Sequence, residues 1–217
     1  MGVAIPQVVT EDRASGAQVI DGSLKFSGGN QYLQRTPSST GNRKTFTYSV
    51  WAKRSNSANT GMLFAGYGGQ NFDTFELYFL NTANQNGLQI YEFQNSSSYL
   101  LNYETDAKYR DPASWYHIVM AVDTTQGTPS NRVRLWVNGS EVTSFRTETN
   151  PGASADTYVN TTNIHRIGNS AYNTTANPFE GHLSQCYFID GQQLDPSYFG
   201  YTEPLTNVWR PKKYEGT

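Results

Sequence analysis

Residues 115–142, WYHIVMAVDTTQGTPSNRVRLWVNGSEV, limit what this chain can fold into more than any other stretch. Their first part alternates, yet both sets are largely apolar: Tyr116, Ile118, Met120 and Val122 against Val119 and Ala121. A strand with that pattern is covered on both faces, as in the middle of a sandwich. After a polar excursion, Val133, Leu135 and Val137 fall on one side and Arg132, Arg134 and Trp136 on the other, the alternation of a half-buried antiparallel strand. Asn138-Gly139 then supplies the two positive-φ residues of a type I′ turn, so the chain must double back in a tight hairpin.

The same grammar runs through the preceding hundred residues. LKFSGGNQYLQR gives two short extended pieces around Gly28-Gly29, and TFTYSVWAKR, GMLFAGYG, FELYFLN, GLQIYEFQ and SYLLNYE follow as strands between Asn, Gly and Ser clusters. Apolar residues nowhere recur at helical period across a dozen positions, so no long helix is expected. Asp195-Pro196 through Gly200 has the start and stop signals of a single helical turn, and Asp111-Pro112 carries the same start signal. The fold class is therefore all-β, an antiparallel sandwich with only short helical turns, and 217 residues suffice for one such core. Residues 1–22 read as an N-terminal arm, with VAIPQVV broken by Pro6. Residues 23–200 read as the sandwich, and 201–217, with two prolines and no alternation, as an extended tail anchored by Trp209.

Charged residues make up only 16% of the chain, so its polar surface is built from Asn, Ser, Thr, Gln and Tyr. A formal charge of −2 with one short basic cluster, Arg210, Lys212 and Lys213, offers no field for nucleic acid. No apolar run reaches the length of a membrane span, and the first residues lack a secretory leader's basic start and apolar stretch, so neither membrane insertion nor Sec-dependent export is expected. The lone cysteine, Cys186, excludes an intrachain disulfide and lies in the apolar run HLSQCYFI, where a buried, inert thiol is expected. Aromatic residues are plentiful, with 15 Tyr, 11 Phe and 4 Trp, and most of the Phe and Trp are expected to fill the core.

Phe-Ser-Gly-Gly followed by Tyr32-Leu33, the strand TFTYSVWAKR, Trp-Tyr-His-Ile-Val leading to Arg-Leu-Trp-Val-Asn-Gly, IHRIGNS, and FEGHLSQCYFIDGQQLDPS stand in an order that resembles the laminin-G-like branch of the concanavalin A-like lectin/glucanase superfamily. The resemblance covers about Leu24 to Phe199 and implies a jelly-roll of two packed antiparallel sheets. A narrower resemblance lies in ASGAQVIDGSLKF, RTPSSTGNRKTFTYSVWAKR, RDPASWYHIVMAVDTTQ, FIDGQQLDPSYFG and VWRPKKYEGT, which are similar to virion structural proteins of marine bacteriophages. It implies a part displayed on the virion surface, made in the host cytoplasm, with other virion proteins and further copies of itself as partners.

Because the superfamily includes glucanases, the carboxylates matter. The glucanase pattern Glu-x-Asp-x-x-Glu is half met by Glu104-Thr105-Asp106, but Tyr109 stands where the second Glu belongs, and glycoside hydrolysis needs both carboxylates. Asp73 and Glu76, three apart on a strand, point to opposite faces. His117, His165 and His182 have no zinc-type spacing, and no nucleophile elbow, P-loop or dinucleotide fingerprint occurs. The expectation is a non-enzymatic chain without a cofactor. Calcium, which laminin-G-like domains often bind through rim loops, would draw oxygens from Asp123, Asp156 and the Asn-rich loops, but no EF-hand-like run assigns a ligand.

Two binding roles remain. Glycans need flat apolar faces ringed by amides and hydroxyls, and Tyr67, Phe72, Tyr99, Tyr103 and Tyr172, read as loop residues among Asn, Gln and Ser, are the candidates. Attachment to a neighbouring virion subunit falls to the arm, with Val3, Ile5, Val8 and Val9 as candidates for strand addition or groove insertion. The two roles are compatible: a capsid decoration or tail protein, or a tail-fibre lectin module that recognises cell-surface polysaccharide.

Overall fold

The computed structural model describes residues 22–216 apart from Asn71, Ser96 and Thr174. The attachment candidates Val3, Ile5, Val8 and Val9 lie outside the described residues. Two antiparallel sheets pack face to face. One has six strands: β1 (Leu24–Ser27), β3 (Thr45–Arg54), β8 (Tyr116–Asp123), β9 (Val133–Val137), β10 (Ser140–Glu141) and β13 (Glu180–Asp190), in the order β1-β13-β3-β8-β9-β10. The other has seven: β2 (Leu33–Arg35), β4 (Gly61–Tyr67), β5 (Thr74–Phe79), β6 (Leu88–Gln94), β7 (Ser98–Thr105), β11 (Phe145–Thr149) and β12 (His165–Ile167), in the order β11-β7-β6-β5-β4-β12-β2. The only helical pieces among the described residues are three-residue 3₁₀ turns.

The inner faces carry alternate residues of every long strand. Phe46, Tyr48, Val50 and Ala52 of β3 and Ile118, Met120 and Val122 of β8 meet Phe75, Leu77 and Phe79 of β5 and Leu88 and Ile90 of β6. Each such side chain, fully withdrawn from water, contributes on the order of 2 kcal/mol. The other face of β8 is covered as its sequence requires. Val119 and Ala121 pack with Trp136, Leu194 and Phe199, with Tyr187 and Tyr214 at the margin. The lid holding them begins at Thr47, whose hydroxyl donates to the Gln192 carbonyl (2.7 Å) and accepts from the Leu194 amide (2.9 Å). The 3₁₀ turn Pro196–Tyr198 follows, started by Asp195, whose carboxylate accepts from the Ser197 amide. At Asp111 the same signal makes only a local turn, with the carboxylate accepting from the Ala113 amide. Asn138 and Gly139 have φ of 50° and 79°, as the hairpin between β9 and β10 demands.

Two expectations are corrected. The end of the chain does not run as an extended tail: β14 (Gly200–Thr202) pairs with β15 (Trp209–Pro211) in a hairpin laid on the six-stranded sheet. Pro211 is tolerated because it ends an edge strand and need not donate to a ladder. Trp209 is nevertheless the anchor: its Nε1–H donates to Nδ1 of His117 (2.9 Å), and its ring stacks on that imidazole. Cys186 is not a buried residue. A bulge between Ser184 and Tyr187 turns it to the surface, although its thiol stays sheltered against the Tyr48 hydroxyl, and burial pushes that thiol up to about 11.

Among the described residues, three arginines are buried without a carboxylate partner. Arg54 donates to the carbonyls of Asn56, Asn59, Leu80 and Tyr109, and Arg132 to those of Gln126, Gly127 and Pro151. Arg166 donates to the Ser170 carbonyl and the Gln34 side chain and lies over the Tyr32 ring. Backbone dipoles replace hydration at each of them, and the loops they hold become fixed rims of the sandwich.

Candidate functional site

The outer face of the seven-stranded sheet bears a cluster of aromatic side chains. In β5 and β6 the residues opposite the core set are Glu76 and Tyr78, then Gln89, Tyr91 and Phe93. Beneath them Met62, Ala65, Tyr78, Leu80 and Ala171 form a small second core, with Tyr67 and Tyr91 packed against it. Above it lies a hollow of ≈ 290 Å³ lined by Phe72, Tyr78, Gln89, Tyr91, Phe93, Tyr99 and Tyr172. The rings meet edge to face: Tyr78 with Tyr91 at 5.8 Å, Tyr91 with Tyr99 at 5.8 Å, Phe93 with Tyr99 at 5.3 Å, and Phe72 with Tyr172 at 5.8 Å. Phe72 is 63% exposed and Tyr99 50% exposed, so both present ring faces to solvent.

The loop after β12 forms the far wall. Arg166 holds the Ser170 carbonyl at 2.7 Å, and the Ser170 hydroxyl donates to Glu76 Oε1 at 2.7 Å. Glu76 Oε2 accepts from the Tyr91 hydroxyl at 2.7 Å, so one buried carboxylate ties strand and loop together under the hollow. Burial raises the Glu76 pKa despite these donors. Its charge and, above all, burial push the Tyr78 and Tyr91 phenols far up, so both remain protonated. The Tyr78 hydroxyl donates to Gln89 Oε1, and Gln89 Nε2 donates to Asn102 Oδ1 at 2.8 Å, fixing the amide beside the rings. Among the described residues no Lys or Arg lines the hollow.

Of the five aromatic candidates, the structure brings Phe72, Tyr99 and Tyr172 together, and Tyr67 lies in the packing beneath them. Tyr103 is a correction. It is 2% exposed, faces the core, and directs its hydroxyl to Asn150 Oδ1 (2.8 Å), so it cannot stack on a ligand. Tyr99 and Tyr103 share parity in β7, yet the register shift opposite Glu92 and Phe93 turns Tyr99 outward while Leu101 and Tyr103 stay inside. Tyr78, Gln89, Tyr91 and Phe93 were not among the candidates. For the last three the signal was the shared parity of Gln, Tyr and Phe in GLQIYEFQ, opposite to that of Leu88 and Ile90, and for Tyr78 its parity opposite to that of Phe75, Leu77 and Phe79.

The carboxylates weighed above each meet a protein partner. Glu76 is buried and engaged, Glu104 pairs with Arg146, and Asp106 accepts from the Ser144 hydroxyl. Asp73 lies at the strand end, accepting from the Tyr158 hydroxyl at 2.8 Å. Nor do the calcium candidates suit the ion. Both Asp123 oxygens accept from Thr45, Thr125 and Gln126, and Asp156 stands beside Arg43 and Lys44. Among the described residues no group of three or more His, Cys, Asp or Glu side chains is placed to hold a metal ion.

A two-sheet antiparallel sandwich with ligand-sized aromatic relief on its outer face defines a lectin-like class. The family model of the concanavalin A-like lectin/glucanases superfamily, laminin G type, matches residues 27–192, and the chain belongs to that superfamily. Among solved structures it is similar to the CBM40 module of the Ruminococcus gnavus IT-sialidase, with a TM-score of 0.55 and 15% identity over 82% of this chain and 95% of that one. The same module has been solved bound to α2,3-sialyllactose (TM-score 0.53, 16% identity, 78% of this chain and 91% of that one). Domains LG4-5 of the mouse laminin α1 chain align with a TM-score of 0.54 and 14% identity over 92% of this chain and 48% of that one. These likenesses establish the fold. No curated protein sequence matches the chain.

Proposed function

We propose that this chain is a non-catalytic glycan-binding module that takes a neutral saccharide on the aromatic face of its seven-stranded sheet and is carried on the exterior of a bacteriophage particle. The observation that carries the binding role is the cluster of Phe72, Tyr99 and Tyr172 around Tyr91, Phe93 and Gln89: exposed ring faces for the C–H surface of a sugar, with amide and phenol groups at its edge. The CBM40 module that shares the fold has been solved with sialyllactose, which makes carbohydrate a fitting class of ligand for such a sandwich. The sugar differs here, because an anionic saccharide needs a cation for its carboxylate. Among the described residues this hollow has none in its lining.

The non-catalytic reading is supported by Glu76 and Glu104, which protein donors engage, and by Tyr109 standing where the glucanase pattern has its second Glu. The placement on a particle rests on the resemblance of the segments quoted above to phage virion structural proteins. Whether the chain decorates the capsid or serves a tail fibre follows from where an antibody fragment binds intact particles by electron microscopy; particles without label would overturn the virion role. The glycan role is tested by calorimetry against neutral and sialylated oligosaccharides. Neutral sugars should bind, and Tyr99→Ala and Phe72→Ala should each weaken binding about tenfold, as loss of an interface anchor does. Binding to sialylated sugars alone, or unchanged binding in both variants, would overturn it.

A further inference from the structure

We infer that the opposite face of the molecule holds a second saccharide site, a groove on the six-stranded sheet between Trp51, Trp115 and Trp209, suited to an uncharged oligosaccharide. It extends the preceding reading without resting on it, because the two sites lie on different sheets and share no residue.

Three of the four tryptophans in the chain converge here. Two adjoining hollows, of ≈ 500 and ≈ 450 Å³, share Trp51, Trp115, Val208 and Trp209 as lining. Together they are of the size that ligand clefts usually have. Polar groups border the indoles: Ser23 and Ser184 on one side, and Asn138, Ser140, Thr202 and Asn207 on the other. Among the described residues the only charged side chain in the lining, Arg210, is engaged by Glu203 at 3.1 Å. Flat apolar rings with an uncharged rim of amides and hydroxyls are what a neutral sugar requires and what a charged ligand would find unrewarding.

The protein's own contacts hold the indoles in place. His117 lies between Trp51 and Trp209, with centroid distances of 4.8 and 5.9 Å and interplanar angles of 20° and 22°. Because Trp209 Nε1–H can only donate, His117 Nδ1 accepts, and Nε2–H donates to the Ser49 hydroxyl at 2.9 Å. The Trp209 ring also lies against Gly139 and Gly200, where a Cβ at either position would collide with it. Such pre-ordering lowers the cost of binding.

Anchoring the C-terminal hairpin accounts for Trp209 and its neighbours Trp51 and His117. It does not account for Trp115, 36% exposed, or Val208, 45% exposed, on the same groove. Nor does it use Asn138 Nδ2: the side-chain oxygen of Asn138 accepts the His117 amide at 2.8 Å, while the nitrogen has no partner among the described residues.

The test is tryptophan emission of the full chain titrated with cellohexaose, laminarihexaose, mannohexaose, xylohexaose and N-acetylchitohexaose. At least one should give a saturable shift that persists in Tyr99→Ala, weakens about tenfold or more in Trp115→Ala, and partly returns in Trp115→Tyr. A panel that leaves the emission unmoved would overturn the second site, as would Trp115→Ala binding like the parent or a shift abolished by Tyr99→Ala. Calorimetry on Trp115→Ala reads the tyrosine face separately, so failure of either site is distinguishable from failure of the other.

Discussion

On the seven-stranded sheet most of the aromatic side chains come from the sheet's own strands, whereas on the six-stranded sheet the indole that completes the groove arrives on a hairpin from the end of the chain. Tyr78, Tyr91 and Tyr99 are held by ladders of backbone hydrogen bonds on three adjacent strands. Trp209 lies on a strand paired with β14, and its side chain meets the six-stranded sheet through one indole hydrogen bond, one ring stack on His117 and the space left by two glycines. Sheet register makes a surface that survives loss of any one ring. A docked hairpin makes one that depends on its pin.

Trp209→Ala should therefore have the largest effect. It removes the ring from Gly139 and Gly200 and leaves buried His117 Nδ1 without its donor, for a loss of about 3 kcal/mol. Urea unfolding measures that loss, and hydrogen exchange should show residues 200–211 opening while β5 to β7 stay protected. A loss below about 1 kcal/mol would mean that the hairpin is held by something other than its indole.

The two sheets should also respond to pH in opposite directions. Glu92, on β6 between Tyr91 and Phe93, is buried and pushed up to about 8 by that burial, against the Tyr158 amide, Gln94 and Arg43, with Asp73 raising it further. Between pH 4.5 and 8 the unfolded chain gives up a proton that the folded chain keeps, so stability falls as pH rises through that window. His117 is the reverse: burial pulls it down to about 3, so as pH falls from 6.5 the unfolded chain takes a proton that the folded chain refuses, and stability falls with it. Each slope approaches about 1.4 kcal/mol per pH unit. Denaturation profiles of Glu92→Gln should lose the alkaline limb and those of His117→Gln the acid limb. Two variants that kept the parent's profile would remove this contrast between the faces.

What the sequence disclosed of this contrast follows the range of the interactions. Strands β3, β8 and β9 and the Asn138-Gly139 turn were legible because period-two burial and positive φ are local properties. Tyr99 and Tyr103 could not be told apart, since the bulge that separates them is a matter of pairing with β6. The tryptophan groove joins positions 51, 115 and 209, which only the tertiary fold brings together, and its hairpin was hidden by Pro204 and Pro211, which read as interruptions. Burial of Arg54, Arg132 and Arg166 was equally hidden, because their acceptors are backbone carbonyls that carry no residue signature.

The smallest effect on stability, and the sharpest test of the comparison, belongs to Tyr99→Ala. Half of that side chain faces water and its ring meets Tyr91 and Phe93 edge to face, so truncation should cost less than about 1 kcal/mol. A surface that folding does not need but that glycan binding does should lose affinity with its fold intact, which thermal unfolding and calorimetry on the same sample would show together. If Tyr99→Ala instead destabilised the chain as much as Trp209→Ala, the tyrosines would be packing for the sheet edge. The exposed ring of Phe72, which meets Tyr172 edge to face, would then carry whatever grip that face has on a sugar.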